Sequence, residues 1–412
     1  MTKKFYELTP EERLDLLNLP EELMARFVKD QEVAHQDLVE NYLTDFSLPE
    51  GMVRHLVLDN QPYQVPMVTE EPSVIAAANN GAHLFKMGGG FKSAGTSQAI
   101  LGGQILFEHI DFEQLQSFVT ANEYEIFQAA EEAKPSLYRR GGGLRSINLR
   151  HVSGLRASLD ILVDTSQSMG ANAVNTILES IRLIFEPFDD QILGAILTNA
   201  GHQSVVSVTG RVPVTALGGF DAAQRIVDLA DFAKVDPDRA VTENKGIFNG
   251  LSAVVLALGN DWRAVEAAGH AYASRTGQYQ ALTNWRVSDD HEFLEGEFSL
   301  PLNLGRVGGA IAGLTKAQDN LALLGNPTLD EMKKIVLSVG LSSNLAALKA
   351  IAGEGIQAGH MRMQARLLAI SVGAKTDEIV PLSKKLTKAP AINEENAKKL
   401  LGELRHHESE VK

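Results

Sequence analysis

The sequence predicts an α+β protein in which a large, mostly helical domain is interrupted by a small ferredoxin-like domain and followed by a C-terminal helical appendage. Three observations carry this expectation. Helix signals lead up to about residue 98, a strand, helix, strand, strand, helix, strand order fills 99–212, and helix signals return over 213–372 with a separate helical stretch at 373–412. The middle order is that of a split βαβ sheet. A chain of 412 residues suits such a division, because single cores stop growing at about 250–300 residues.

Thr9-Pro10-Glu11-Glu12 is a capping box with proline at the first helical position, which predicts a helix through Arg13 and Leu14 toward Leu19. A second helix is expected over residues 21–43. Pro72 opens an alanine-rich helix that stops before Gly88-Gly89-Gly90. In the small domain the apolar stretch 100–107 reads as a strand, with Gly102-Gly103 as a candidate bulge. Periodicity then predicts a helix over 112–132, strands at 147–149 and 159–163, a helix over 171–185 and a strand at 192–197. Helices follow over 221–232, 246–258 and 262–273. A hairpin of 282–287 with 292–300 turns at Ser288-Asp289-Asp290, and helices resume at Leu329.

The composition, 44% hydrophobic and 22% charged, is that of an ordinary globular protein. No apolar run of about 18 residues stands out, and no apolar stretch follows the N-terminal Lys3-Lys4, so neither a membrane span nor a secretory signal is expected. The protein is read as cytoplasmic. The absence of cysteine excludes disulfides, thiolate metal sites and cysteine nucleophiles. A net charge of −14 argues against a nucleic-acid surface, which needs a clustered positive field. One basic cluster does exist: Lys134, Arg139, Arg140, Arg145, Arg150 and Arg156 surround Gly141-Gly142-Gly143. It reads either as a solvated face or, since glycines let backbone amides approach closely, as a phosphate site.

Four segments each place a catalysis-capable side chain at an expected helix start: Glu70-Glu71-Pro72-Ser73, Glu243-Asn244-Lys245-Gly246, Gly259-Asn260-Asp261-Trp262 and Gly355-Ile356-Gln357-Ala358-Gly359-His360. Functional groups concentrate where loops meet rigid elements, and this quartet suits reductive acid/base chemistry. Taken singly, Glu71 and Asp261 read as caps, Lys245 as a solvated charge and His360 as a polar helix-end residue. Together and in this order, with Asp236-Pro237-Asp238-Arg239-Ala240 between the first two, they resemble the signature of class II 3-hydroxy-3-methylglutaryl-CoA (HMG-CoA) reductases. The resemblance runs from about residue 12 into the C-terminal region.

That resemblance implies a catalytic domain formed by 1–98 and 213–372, a nicotinamide-cofactor domain at 99–212 and a flap at 373–412. It implies reduction of HMG-CoA to mevalonate and coenzyme A by two NAD(P)H in isoprenoid biosynthesis, through a hemithioacetal and an aldehyde. Lys245 would face the developing oxyanion and Glu71 would donate its proton, with a pKa raised by burial or by Glu70. Asp261 would hydrogen-bond Lys245 and link it to Glu71, and His360 would protonate the departing thiolate. Ser73, Arg239, Asn249 and Asn344 would hold the hydroxymethylglutaryl portion. Met169, Gly170, Asn172 and the Gly141-Gly142-Gly143 loop map onto the cofactor site. Lys134, where an NAD-preferring relative carries an aspartate, favours NADPH over NADH. No metal is implied, and the family builds its site across a dimer interface and often assembles further, so a homodimer or a higher homo-oligomer built from dimers is expected, with HMG-CoA and coenzyme A as partners.

The chain departs from the family pattern at Thr44 (a glycine), Ser146 (an aspartate), Gln167 (an aspartate) and Glu243 (a histidine). No strand runs into Gly-x-Gly-x-x-Gly and a helix, so the nicotinamide assignment rests on the resemblance. Two rival readings come from other classes. Asp164-Thr165-Ser166-Gln167-Ser168 resembles the magnesium-binding motif of von Willebrand factor A domains, which sits in a doubly wound parallel sheet. A CoA-thioester hydrolase using Glu71 and His360 would need no nicotinamide, but leaves Lys245 unexplained.

Overall fold

The computed structural model describes residues 3–95, 98–353 and 355–410. Helix α1 (Pro10–Leu16) starts at the expected capping box: Thr9 Oγ1 accepts from the Glu12 amide at 3.1 Å, and the Glu12 carboxylate accepts from the Thr9 amide at 2.8 Å. Helix α2 (Glu21–Lys29) is much shorter than the expected 21–43. The chain instead folds back beside it. Thr44 Oγ1 donates to the Phe27 carbonyl at 2.8 Å, and the Glu32 amide donates to the Tyr42 hydroxyl at 2.9 Å. Non-local partners thus replace the next helical turns. Thr44, the departure from the family glycine, has a structural task here.

Strands β1 (Glu50–Leu58) and β2 (Gln61–Val68) form a hairpin absent from the sequence expectation. Its turn residues Asp59 and Asn60 have φ of 50° and 67°, a conformation suited to a two-residue hairpin loop. Helix α3 (Pro72–Met87) follows as expected, with Glu71 at its N-cap, and β3 (Phe91–Ala94) leads into the small domain.

That domain contains β4 (Ile100–Phe107), α4 (Phe112–Ala121), α5 (Glu123–Ala133), α6 (Pro135–Arg139), β5 (Gly143–Ser153), β6 (Arg156–Asp164), α7 (Ala171–Ile184) and β7 (Ile192–Thr198). Its sheet is antiparallel throughout, in the order β5-β6-β4-β7, the ferredoxin-like arrangement. The doubly wound parallel sheet of the magnesium-binding alternative is therefore ruled out. The single helix expected over 112–132 is two, broken at Asn122, whose carboxamide donates to the Phe118 carbonyl at 2.8 Å. Gly102 and Gly103 stay in register with Leu162 and Ile161, so no bulge lies there. A Cβ at Gly103 would press on Leu178 of α7, which accounts for the glycine by packing.

Strand β8 (Val205–Pro213), although all but its last residue falls in the 99–212 segment, pairs with β3 and so returns the chain to a six-stranded sheet. Helices α8 (Val214–Leu217), α9 (Phe220–Val235), α10 (Pro237–Ala257) and α11 (Trp262–Ala273) follow, then the expected hairpin of β9 (Thr283–Val287) and β10 (Phe293–Pro301). The completed sheet has the order β2-β1-β3-β8-β10-β9. Helix α10 begins well before the expected residue 246, because Asp236 caps it through the Asp238 amide at 2.9 Å and Pro237 occupies its first position.

Helices α12 (Thr315–Leu323) and α13 (Leu329–Ala352) complete the large core. Contrary to the sequence expectation, α13 is long and apolar enough to cross a membrane, with a mean hydropathy of 1.6 over its most apolar window. Its burial explains this, since 78% of that window lies inside the protein. Near its start, Lys333 Nζ donates to the Gln98 carbonyl at 2.9 Å and Lys334 Nζ to that of Gly95 at 2.7 Å, tying α13 to the connection between β3 and β4. Burial pushes the Lys333 ammonium down to about 8.

Helices α14 (Ile356–Ser371), α15 (Thr376–Leu386) and α16 (Glu394–Glu410) share a small core of their own around Ala365, Leu382, Leu386 and Leu401. The appendage therefore takes in α14 and starts before residue 373. The Arg405 guanidinium grips Glu378 with two bonds of 2.8 Å, which with the Lys375 amide holds that carboxyl down at about 2.

Helices α3 and α10 approach α13 closely enough that side chains cannot fit between them. A Cβ at Gly81 of α3 would overlap the Ser342 carbonyl, and one at Gly250 of α10 would overlap the Ser343 hydroxyl. Gly81→Ala is accordingly expected to destabilise the protein by about 1–3 kcal/mol through overpacking, read as a lower midpoint in chemical denaturation. An unchanged midpoint would show that the helices can part without loss.

Candidate active site

A cavity of about 860 Å³ opens between α3, α9, α10 and α13. It brings together Glu71, Ser73, Arg239, Lys245, Asn249 and Asn344, six of the sequence-derived candidates. Arg239, Glu243, Gly246 and Asn249 recur at helical spacing along α10, so one face of that helix forms a wall. Lys245 lies within α10, not at a helix start as the sequence suggested.

Across the cavity, Lys245 Nζ stands 3.6 Å from Glu71 Oε2, with the two side chains 65% and 38% exposed. The Ser73 hydroxyl donates to Glu71 Oε1, and the Glu71 amide donates to Thr69 Oγ1 at 3.2 Å. A carboxyl group and a lysine thus share one opening. Arg239 is half-buried and faces the same space, well suited to a carboxylate. Asn344 is buried, and its carbonyl oxygen accepts from Trp285 Nε1 at 2.8 Å and from Thr283 Oγ1 at 3.0 Å. Its amide nitrogen donates to Glu243 Oε1 at 3.3 Å.

Glu243, expected only as a departure from the family histidine, is a buried member of this wall, and sequence reasoning missed it as a site residue. One signal was available: Arg239 and Glu243 stand four residues apart, an ion-pair spacing on a helix. Thr283 and Trp285, which orient Asn344, carry no local signal at all.

Asp261 is not among the residues lining the cavity. It caps α11, accepting from the Arg263 and Ala264 amides at 3.0 and 3.1 Å and pairing with Arg263 Nε at 3.2 Å. The expected hydrogen bond from Asp261 to Lys245 is not made within the chain, for a geometric reason. Twelve residues of continuous α10 separate Lys245 from Ala257, an axial distance of about 18 Å. His360 lies on α14, but its side chain falls outside the described residues. Gly355, just before α14, is on the cavity's edge.

The small-domain candidates collect at one end of the β5–β6 pair, where Gly143 is paired with Asp164. Gly141 has a φ of 82° and open space where a Cβ would be, while Gly142 and Gly143 are buried against Leu137 and Tyr138. Arg145, at an irregularity between Leu144 and Ser146, pairs with Asp164 Oδ2 at 3.0 Å and donates to the Gly141 carbonyl. Beside this loop, Gly170 caps the N-terminus of α7, which has no side-chain cap and so leaves amides directed outward. Met169 is half-buried there; Asn172, on the first turn of α7, is exposed, as is Gln167 on the preceding turn. Lys134 sits half-buried between α5 and α6. The Asp164, Ser166 and Ser168 trio does not converge on a cation: Asp164 meets Arg145 and the Ser166 amide, and the Ser168 hydroxyl donates to the Thr165 carbonyl at 3.0 Å.

The turn before α7 also docks on the large domain. The Arg306 amide donates to the Gln167 carbonyl at 2.8 Å, and Gly305 abuts Met169 so tightly that a Cβ would overlap its amide. Asn260 holds Gly305 in turn, with bonds of 2.8 and 3.0 Å. Asp261 is therefore at the small-domain end of α10, and Lys245 is toward the other.

The cavity thus presents a carboxyl group, a lysine and an arginine on a chain that also carries a ferredoxin-like antiparallel sheet, with no Rossmann fold among the described residues. Residues 9–365 match the model of the hydroxymethylglutaryl-coenzyme A reductase family, and the chain belongs to that family. Members are NAD(P)H-dependent oxidoreductases of the mevalonate pathway. The chain is 34% identical to 3-hydroxy-3-methylglutaryl-coenzyme A reductase of Archaeoglobus fulgidus, over 97% of this chain and 94% of that one. It is 33% identical to a probable reductase of Borreliella burgdorferi, over 79% and 76% of the two chains. Among solved structures it resembles the class II reductase of Streptococcus pneumoniae bound to NADPH in open conformations, with 38% identity, a TM-score of 0.76 and coverage of 97% of this chain and 100% of that one.

The buried network at Asn344 has a direct energetic consequence. Asn344→Leu would leave Trp285 Nε1 only its 3.3 Å bond to Thr283 Oγ1 and the Thr283 hydroxyl only its 3.5 Å bond to Glu243 Oε1, and a loss of about 1–3 kcal/mol is expected by chemical denaturation, with Trp285 fluorescence reporting the altered wall. Equal stability would place those donors in contact with water.

Proposed function

We propose that the cavity binds the hydroxymethylglutaryl portion of HMG-CoA and that Lys245, Glu71, Asp261 and His360 carry its reduction to mevalonate and free coenzyme A. The observation that carries this reading is the Lys245–Glu71 pair at 3.6 Å in a cavity that also presents Arg239. Lys245 stabilises negative charge developing on the thioester oxygen, and Glu71, steadied by Ser73, delivers the proton. Arg239 holds the terminal carboxylate, with Ser73, Asn249 and the remaining N–H of Asn344 on the hydroxyl side. His360 protonates the departing thiolate from α14, whose start borders the cavity.

The small domain, taken as ending before β8, supplies the cofactor surface. The open Gly141 loop and the uncapped α7 amides fit a pyrophosphate, and Arg145 and Lys134 add positive charge. NADPH or NADH, when bound, supplies hydride. Lys134 favours NADPH, and the NADPH-bound relative from S. pneumoniae supports that preference.

Asp261 completes the site from a second copy of the chain. The length of α10 forbids it from reaching Lys245 within one chain, and a two-fold homodimer would bring the Asp261 end of one α10 to the Lys245 end of the other.

Cofactor oxidation and free coenzyme A, followed together with HMG-CoA as substrate, are expected in a ratio of about two to one if each hydride step is enforced by the site. Lys245→Ala should reduce turnover by about 10²-fold or more while shifting stability by less than about 0.5 kcal/mol, given its exposure. Coenzyme A released without cofactor oxidation would instead identify a hydrolase.

Mixed dimers of Lys245→Ala and Asp261→Ala chains should regain activity that neither parent shows, since one of their two sites is intact. Inactive mixed dimers would put both residues in one chain's site.

A further inference from the structure

Glu243 is unusual for a carboxylate. Its side chain is 1% exposed, yet among the described residues its only ionic partner is Arg239, whose Nη2 lies 3.1 Å from Oε2. That oxygen has no well-directed hydrogen bond. The other oxygen accepts only long bonds, from Asn344 Nδ2 at 3.3 Å and Thr283 Oγ1 at 3.5 Å. The Thr283 hydroxyl has one proton and a shorter bond to Asn344 Oδ1, so its hold on Glu243 is weak.

The charged surroundings are few. On α10 itself Arg239 faces Glu243, and on α9 Lys234 acts from a distance while paired with Asp231. From β9 and α13 only the neutral Thr283 and Asn344 reach it. Glu71, Arg225, Lys245 and Lys349 line the same cavity, with Glu71 paired to Lys245. Burial pushes the Glu243 carboxyl above the ordinary glutamate range, and Arg239 is the largest opposing influence.

We propose that Glu243 is a positioning residue that occupies Arg239 in the free enzyme and takes up a proton when the substrate's carboxylate claims that guanidinium. The proposal rests on the assignment of Arg239 to the substrate carboxylate. In the free enzyme the Arg239–Glu243 pair is neutral. A substrate carboxylate arriving at Arg239 would leave two buried anions on one cation. A proton from solvent converts Glu243 to the neutral acid, its O–H bond forms, and Arg239 pairs with the substrate; the trio is again neutral. Where the family has a histidine that could serve as a second cation, this chain has a group that must be neutralised.

The sign of the effect follows from linkage. Substrate binding favours the protonated acid, so affinity is greatest below the free-enzyme pKa of Glu243 and falls as pH rises through it, by up to about tenfold per pH unit. KM for HMG-CoA at saturating cofactor should therefore rise with pH over a window that opens at the ordinary glutamate range and extends upward, because burial raises this carboxyl. Glu243→Gln keeps an oxygen for Arg239 but does not titrate; its KM should be flat over that window and fall below the wild-type value at the alkaline end, with the effect in KM rather than kcat. Calorimetry of the wild-type enzyme with HMG-CoA, in buffers of different ionisation heat, should count uptake of up to about one proton, absent in Glu243→Gln. A wild-type slope retained in the folded variant overturns the proposal, and no proton uptake by the wild type overturns it without any need for the variant. Arg239→Ala separates the underlying assignment: unchanged KM there removes Arg239 as carboxylate ligand, whereas a raised KM with no proton uptake by the wild type removes only the role of Glu243.

Discussion

The close packing of α3 and α10 on the buried helix α13 is the constraint from which the rest of the active region follows. Glycine at 81 and at 250 lets two helix backbones settle against Ser342 and Ser343 without an intervening side chain. The mouth between these helices is the cavity, and the N-terminus of α3 delivers Glu71 to it while α10 delivers Arg239, Glu243, Lys245 and Asn249. Helix α13 contributes Asn344, which would be a costly buried amide without Trp285 and Thr283 to satisfy it. The same helix, through Lys333 and Lys334, holds the connection to the small domain. Packing and chemistry are thus carried by one element.

Helix α10 acts as a spacer. It is continuous from Pro237 to Ala257, so the residues at its two ends cannot meet in one chain. At one end is the cavity; at the other, Asn260 and Gly305 link Asp261 to the turn that opens α7. In the proposed reading, the cavity and the Asp261 end of α10 therefore serve different sites within one chain. Assembly of two copies is consequently part of the proposed chemistry, not merely a route to stability.

Much of this was legible locally. The capping box at Thr9, the proline that opens α3, and the succession of alternating and helical periods over the small domain all depend on residues within a few positions of one another. The ferredoxin-like order survived intact because each of its elements carries its own period. Elements whose definition needs distant partners fared worse. The end of α2 is set by residues 42–45 folding back, and β8 belongs to the large sheet because β3 and β10 are its neighbours. The hairpin of β1 and β2 could have been found from Asp59-Asn60, a turn pair between two strand-forming runs.

By itself the sequence determined which side chains are available for chemistry, the family they resemble and the helices that bear them, because short motifs and caps are local physics. Only the tertiary structure decided that Lys245 and Glu71 face each other, that Asp261 stands apart from them, and that Glu243 is buried against Arg239 beside an asparagine 101 residues away. Those relations depend on the length of a helix and on which surfaces are excluded from water, and neither is written in the neighbourhood of any one residue.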